Sequence, residues 1–175
     1  MRTLDPNNSA LLVIDIQSKL MPSIEGGAAV VANSRRLIDA ASLLEIPTIF
    51  TEQNPRGLGP TAAELSPTGI FEKMHFDVCR EAGWAQKLPD RPDLVVAGCE
   101  AHVCVLQSVL GLLDADRRVF LVRDALGSRR AESKETAIRR MEKHGAEVIT
   151  TEMAIFEWLG AAEHPRFRQA MALVR

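Results

Sequence analysis

Short apolar runs alternate along this chain with stretches whose apolar residues recur every three or four positions. "ALLVIDI" (10–16), "IPTIFTE" (46–52), "DLVVAGC" (93–99), "RVFLVRD" (118–124) and "AEVITT" (146–151) are apolar or β-branched with polar ends. Continuous apolar runs of this length suit strands covered on both faces. Between them, Val30, Ser34, Leu37, Ala41 and Leu44 mark one face of a helix over 29–45. In 131–144, Ile138 and Met141 mark the inner face, and Arg139, Arg140, Lys143 and His144 crowd the last turn before Gly145, a helix stop. "TTEMAIFEWLG" (150–160) opens on threonines suited to an N-cap and closes on Gly160. The segment 53–92 is less regular: a loop "QNPRGLGPT", a short strand near "GIFEKM" and a helical piece at "EAGWAQKL".

Strands alternating with helices predict βαβ units, hence a mostly parallel sheet of about six strands with helices on both faces. No repeat, linker or low-complexity run divides the 175 residues, so one domain over 1–175 is expected. In such a sheet ligands sit beyond the carboxyl ends of the strands. That directs attention to Asp15, Glu52, Gln53, Lys73, Glu100 to Cys104 and Arg123 to Arg130.

Cys104 follows the strand 93–99 and opens a helix expected over 103–115. The positive end of a helix favours a thiolate and lowers a cysteine pKa, and its free N–H groups suit an oxyanion. The plain alternative is a small buried hydrophobe. Asp15 closes the first strand, where partial burial favours a base; a loop-anchoring carboxylate is the alternative. Lys73, between apolar neighbours, would hold a carboxylate and a sulfur in charged form if it points into the cleft, and is a solvated lysine if it does not.

Composition narrows the classes. A net charge of -2 gives no basic surface for nucleic acid or an anionic membrane. Asp5, Pro6, Asn7 and Asn8 interrupt any leader-like apolar run, and no segment reaches the ~20 apolar residues of a membrane span. Three cysteines without a Cys-x-x-Cys spacing read as free thiols in a reducing, cytoplasmic setting. The four histidines show no ligand spacing. His102 is two residues from Cys104 and points elsewhere, and Arg129 and Arg130 read as a solvated turn. Cys99 reads as packing, with a redox pairing to Cys104 as the sharper alternative. Gln53 and Arg56, beside the glycine-rich loop 57–61, are candidates for substrate contact. Ser108, Gly111 and Ala115 form a small-residue row that permits close approach to the sheet or another subunit, and Ile155, Phe156, Trp158 and Leu159 suit covering a neighbour.

"LLVIDIQ", "TEQNPRGLGPT", the lysine before "MHFDV", "AGCEAHVCV", "DALGSRR", "TTEMAIFEWLG" and "HPRF" together resemble the isochorismatase-like cysteine hydrolases. The resemblance implies a three-layer αβα, Rossmann-like sandwich and an Asp15–Lys73–Cys104 triad. It also implies an oxyanion hole from the backbone N–H groups of Glu100 and Cys104, with a cis bond at Cys99–Glu100. The implied activity is hydrolysis of an amide-like C–N bond of a small molecule through a thioester, in a homo-oligomer. Nicotinamidases of this group carry metal-binding histidines after the second strand. "TEQNPRGLG" has none, which points away from nicotinamide and from any metal or other cofactor. The namesake isochorismate-cleaving enzymes lack the cysteine nucleophile, which points away from vinyl-ether hydrolysis. Two alternatives stay open: a thiol redox or stress-responsive protein using Cys99 and Cys104, and a non-catalytic scaffold of the same fold.

Overall fold

The computed structural model describes residues 2–174. Six parallel strands form one sheet in the order β3-β2-β1-β4-β5-β6. They are β1 (Ser9–Ile14), β2 (Thr48–Gln53), β3 (Phe71–Lys73), β4 (Asp93–Cys99), β5 (Arg118–Gly127) and β6 (Glu147–Ile149). β1 and β4 are buried at every position, as expected for inner parallel strands covered on both faces.

The helices are α1 (Gly27–Leu43), α2 (Pro55–Leu58), α3 (Trp84–Lys87), α4 (Leu106–Asp114), α5 (Ala131–Lys143), α6 (Thr151–Leu159) and α7 (Phe167–Leu173). One apolar core joins Leu11, Val13, Val95 and Phe120 of the sheet to Leu37 of α1, Trp158 of α6 and Ala170 of α7. The other joins Leu12, Ile14, Val96 and Leu121 to Val109 of α4 and Met141 of α5. Alternating side chains of the same strands thus feed opposite cores, giving the αβα layering. Among the described residues no helix is long and apolar enough to cross a membrane.

Most sequence signals have a structural counterpart. The stripe Val30, Ser34, Leu37, Ala41 is buried in α1. Thr150 caps α6, its side chain accepting from the Met153 N–H, and Gly160 ends it at φ 68°. Strand ends differ by one to three residues; β5 runs on to Gly127, past a register shift between Val96 and Gly98 of its neighbour β4. Ser108 and Gly111 of α4 face the segment that follows β3. Ser108 Oγ donates to the Phe76 carbonyl (3.2 Å) and accepts from the Val78 N–H (3.0 Å), while a Cβ on Gly111 would press on Asp77. Of the apolar residues expected to suit a neighbour, Ile155, Trp158 and Leu159 are covered by the chain's own core, while Phe156 is 38% exposed.

The connection order creates the site. From β1 the chain adds β2 and β3 on one side, then crosses to place β4 on the other. The crevice at such a reversal lies beyond the carboxyl ends of β1 and β4. There Ile14 pairs with Gly98, and Gly98 has φ 138° with the Ile14 carbonyl oxygen where a Cβ would stand. Only glycine allows both that backbone angle and that approach. Gly98→Ala is therefore expected to cost about 3 kcal/mol or more, through steric overlap and strain together. Urea unfolding checks this; a midpoint equal to the wild type's would refute the close-approach account.

Candidate active site

Asp15 follows β1 directly and adopts a left-handed conformation, φ 49°, which aspartate tolerates better than most residues. Its N–H still donates to the Thr51 carbonyl of β2 (3.2 Å). The carboxylate is 1% exposed. Oδ1 accepts from Thr51 Oγ1 (2.6 Å) and Oδ2 from Lys73 Nζ (2.7 Å). Lys73, the last residue of β3 and 2% exposed, reaches across β2 to make that bond. Its ammonium also donates to the carbonyls of His75 (3.3 Å) and Phe76 (3.4 Å). All three ammonium protons thus have acceptors, which a buried charge requires.

Cys104 lies beyond β4. The helix there does not begin at Cys104, as the sequence suggested, but with a π-helical turn over Ala101–Val105 that leads into α4. The Glu100 carbonyl accepts from the N–H groups of Val103 (3.0 Å) and Val105 (3.2 Å), passing over that of Cys104. The Cys99–Glu100 peptide bond is cis.

The expectation of a lowered cysteine pKa is overturned. Burial, reinforced by the negative charge of Asp15, pushes the Cys104 thiol up to about 12, and Lys73 offsets only part of this. A helix end and a nearby ammonium both favour a thiolate, but burial opposes them. With Cys104 only 7% exposed, desolvation of an anion costs more than they return. Asp15 and Lys73 both act on the thiol, so residues 58 and 31 positions apart in the chain meet at one point.

A pocket of about 350 Å³ opens over this point. Asp15, Cys104, Glu100, Gln53, Lys19 and Arg129 line it together with the apolar Leu20, Leu58, Phe76 and Val103. Gln53 therefore sits where substrate contact was expected, its Nε2 donating to the Met74 carbonyl (3.3 Å). Arg56 does not: it is exposed on α2, outside the pocket lining, and Leu58 faces the pocket instead. Arg129 is solvent-exposed, as the reading of a solvated turn expected, but it is also tied down. Its backbone N–H and its Nε both donate to Glu100 Oε2, each at 3.0 Å, tying the β5–α5 connection to the segment that carries Cys104.

Other residues of consequence carried no distinctive sequence signal. Gln17 is buried; its Nε2 donates to the carbonyls of Gln53 (3.1 Å) and Gly59 (2.7 Å), and its Oε1 accepts from the Gln53 N–H (2.9 Å). It pins the loop 53–61 over the pocket. Only its place two residues after Asp15 hinted at this. Thr51 is one β-branched residue among several in its strand. His102 faces Ser128, its Nδ1 3.0 Å from Oγ. Cys99 packs in the α1-side core and Cys104 in the α4-side core, an arrangement that does not favour a bond between them. No group of three or more His, Cys, Asp or Glu side chains among the described residues is placed to hold a metal ion.

The neutral resting thiol has a measurable consequence. Alkylation of Cys104 by iodoacetamide, followed by peptide mass spectrometry, should accelerate with rising pH past 9 without levelling off, because the thiolate fraction grows until about pH 12. A plateau below pH 8 would contradict the burial argument.

Known proteins of the same shape and sequence fit this geometry. Residues 9–153 match the family described as the Isochorismatase domain. Human isochorismatase domain-containing protein 2 is 35% identical over 173 residues, covering 97% of this chain and 84% of that protein. Isochorismatase family protein 1A of Dictyostelium discoideum is 36% identical over 180 residues, with 97% and 87% coverage. A solved structure named MAR1 ribonuclease, from Caenorhabditis elegans, superposes with a TM-score of 0.94 at 39% identity, covering 98% of this chain and 92% of that one. Family match, sequence relatives and fold agree, and the chain belongs to the isochorismatase family of hydrolases.

Proposed function

We propose that the protein is a metal-independent cysteine hydrolase of a small carboxamide or similar C–N compound, with Asp15 as base, Cys104 as nucleophile and Lys73 as electrostatic support. The observation that carries the reading is the buried Lys73–Asp15 pair, 2.7 Å apart, acting on one pocket-facing thiol. A structural ion pair needs no cysteine beside it, and a structural cysteine gains nothing from facing a substrate-sized pocket.

The resting thiol sets the order of events. With a pKa of about 12, forming free thiolate at pH 7 would cost about 7 kcal/mol. Asp15 therefore takes the proton as sulfur attacks the carbonyl carbon, so that free thiolate does not accumulate. The negative charge that leaves sulfur moves to the carbonyl oxygen, for which the N–H groups of Glu100 and Cys104 are the assigned donors. The C–N bond then breaks, with Asp15 returning the proton to the departing amine. Water attacks the thioester and gives its proton to Asp15. The carboxylic acid leaves, and sulfur recovers the proton. Lys73 stays protonated throughout and balances a carboxylate that is charged in some steps and neutral in others. Over one cycle an amide and a water become an acid and an amine.

The name ribonuclease borne by the C. elegans relative offers a second reading, which the site does not favour. The net charge is -2, and phosphate-backbone binding draws on clustered Lys and Arg. No histidine lines the pocket that holds Cys104. The redox reading is weakened by the separation of Cys99 and Cys104 into two cores.

Incubation with a carboxamide library and intact-mass detection should reveal an acyl adduct on Cys104 for the accepted class. Cys104→Ala should lose at least about 10³-fold in turnover while keeping its melting temperature. Asp15→Asn should stop acylation but also destabilise by about 3 kcal/mol, since it leaves the Lys73 ammonium buried without its counter-ion. Full turnover by Cys104→Ala would sink the hydrolase reading; no adduct with any carboxamide would sink the C–N assignment.

A further inference from the structure

The Cys104 chemistry leaves a buried carboxylate beside the pocket without a role. Glu52, next to last in β2, is 5% exposed. None of the ion pairs among the described residues includes it. In register beside it on β3 stands another acid, the exposed Glu72. Burial without a counter-ion disfavours a carboxylate at such a position. What Glu52 gains instead is a double hold on one residue. Its Oε1 accepts from the Thr61 N–H (2.6 Å) and from Thr61 Oγ1 (2.7 Å). Hydrogen bonds to an ionised acceptor are roughly twice as strong as neutral ones.

Thr61 belongs to a small ribbon that starts directly after Asp15. It pairs antiparallel with Gln17. Around that bridge the Ala62 N–H donates to the Ile16 carbonyl (2.8 Å), the Ser18 N–H to the Pro60 carbonyl (2.8 Å) and the Lys19 N–H to the Leu58 carbonyl (3.0 Å). Lys19 and Leu58, at the far end of the ribbon, both line the Cys104 pocket. Gln17 ties the 16–19 strand of the ribbon to β2 through the backbone of Gln53. Glu52 ties the 58–62 strand to β2 through Thr61, which is itself 5% exposed.

We infer that Glu52 is a positioning residue of the Cys104 pocket, its carboxylate holding Thr61 and, through Thr61, the ribbon that supplies the wall of Lys19 and Leu58. The inference rests on the reading of that pocket as the substrate site. Glu52 does not touch the reacting atoms. It is absent from the pocket lining, and alternation along β2 turns it away from Gln53, which lines the pocket, and from Thr51, which bonds Asp15. The charge on Glu52 shapes the pocket at some cost to stability, so replacing it with an amide should separate the two effects.

Glu52→Gln keeps the shape and an acceptor oxygen and removes the charge. Its melting temperature should equal or exceed the wild type's, because a buried, unpaired charge is gone. Amide hydrogen exchange should nonetheless quicken by about tenfold in peptides covering 16–20 and 57–62, and stay unchanged in β4. Thr61→Val, which loses the hydroxyl donor, should quicken the same peptides by about threefold, and Thr61→Ser should match the wild type. Two maleimides then report on the pocket itself: N-ethylmaleimide and the bulkier N-cyclohexylmaleimide. In each, sulfur adds to one alkene carbon and the other alkene carbon gains a proton, the thiol proton passing to solvent. The rate ratio of bulky to small reagent at Cys104, divided by the same ratio for mercaptoethanol, should rise about fivefold in Glu52→Gln. Unchanged ribbon exchange, an unchanged ratio, or exchange that quickens equally in β4 with a lowered melting temperature overturns the inference even if carboxamides are hydrolysed. Selective ribbon exchange with a raised ratio upholds it even if no carboxamide acylates Cys104. With an accepted carboxamide, KM should rise in Glu52→Gln by a larger factor than kcat falls. The reverse would place Glu52 in the chemical step and end its assignment as a positioning residue.

Discussion

A buried ion pair between Lys73 and Asp15, 2.7 Å long and almost fully shielded from water, is the constraint around which the site is built. Two charges removed from water cost several kcal/mol each unless their remaining hydrogen-bonding capacity is filled. Here it is filled. Thr51 serves the second carboxylate oxygen, and the carbonyls of His75 and Phe76 serve the ammonium. Those partners come from β2 and from the segment after β3, so the pair is affordable only when β1, β2 and β3 lie side by side. The same segment is tied to α4 through Ser108, and α4 continues the turn that bears Cys104. Ion pair, edge strand and cysteine helix thereby depend on one another.

The backbone around that pair is unusual at several neighbouring points. Asp15 is left-handed, Gly98 has φ 138° against the Ile14 carbonyl and Ala101–Val105 is a π-turn. All lie at the carboxyl ends of β1 and β4, where the strand order reverses. Clustered irregularity at such a point is a pattern common to functional sites. Around it the sheet is regular and buried, which gives the irregular residues rigid neighbours.

Charge in the pocket is graded. At the bottom the thiol is neutral at rest, because burial and Asp15 outweigh the attraction of Lys73. Glu100 and Arg129 form a second matched pair nearby, with the Arg129 side chain largely in solvent.

The order of strands and helices was legible because burial on both faces imposes continuous apolar runs, and amphipathic helices impose a three-to-four step. Asp15, Lys73, Gln53 and Cys104 stood out because each follows or closes such a run, and topology brings strand ends together. What lay beyond the sequence involved balances among distant groups. Cys104 reads as activated when only its helix is considered, but the desolvation that raises its pKa comes from packing. Arg129 is the exposed turn residue the sequence suggested, but its bond to Glu100, 29 positions earlier and 3.0 Å away, was not legible there. Arg56 and Leu58 sit two apart in one loop, and the direction of a four-residue helix put Leu58 in the pocket and Arg56 in solvent. Local patterning determined the elements and the edge of the sheet where chemistry gathers, because periodicity is a property of neighbouring residues. Tertiary structure alone decided which charges are matched and which thiol is neutral, because burial and Coulomb energy depend on distances between segments far apart in the chain.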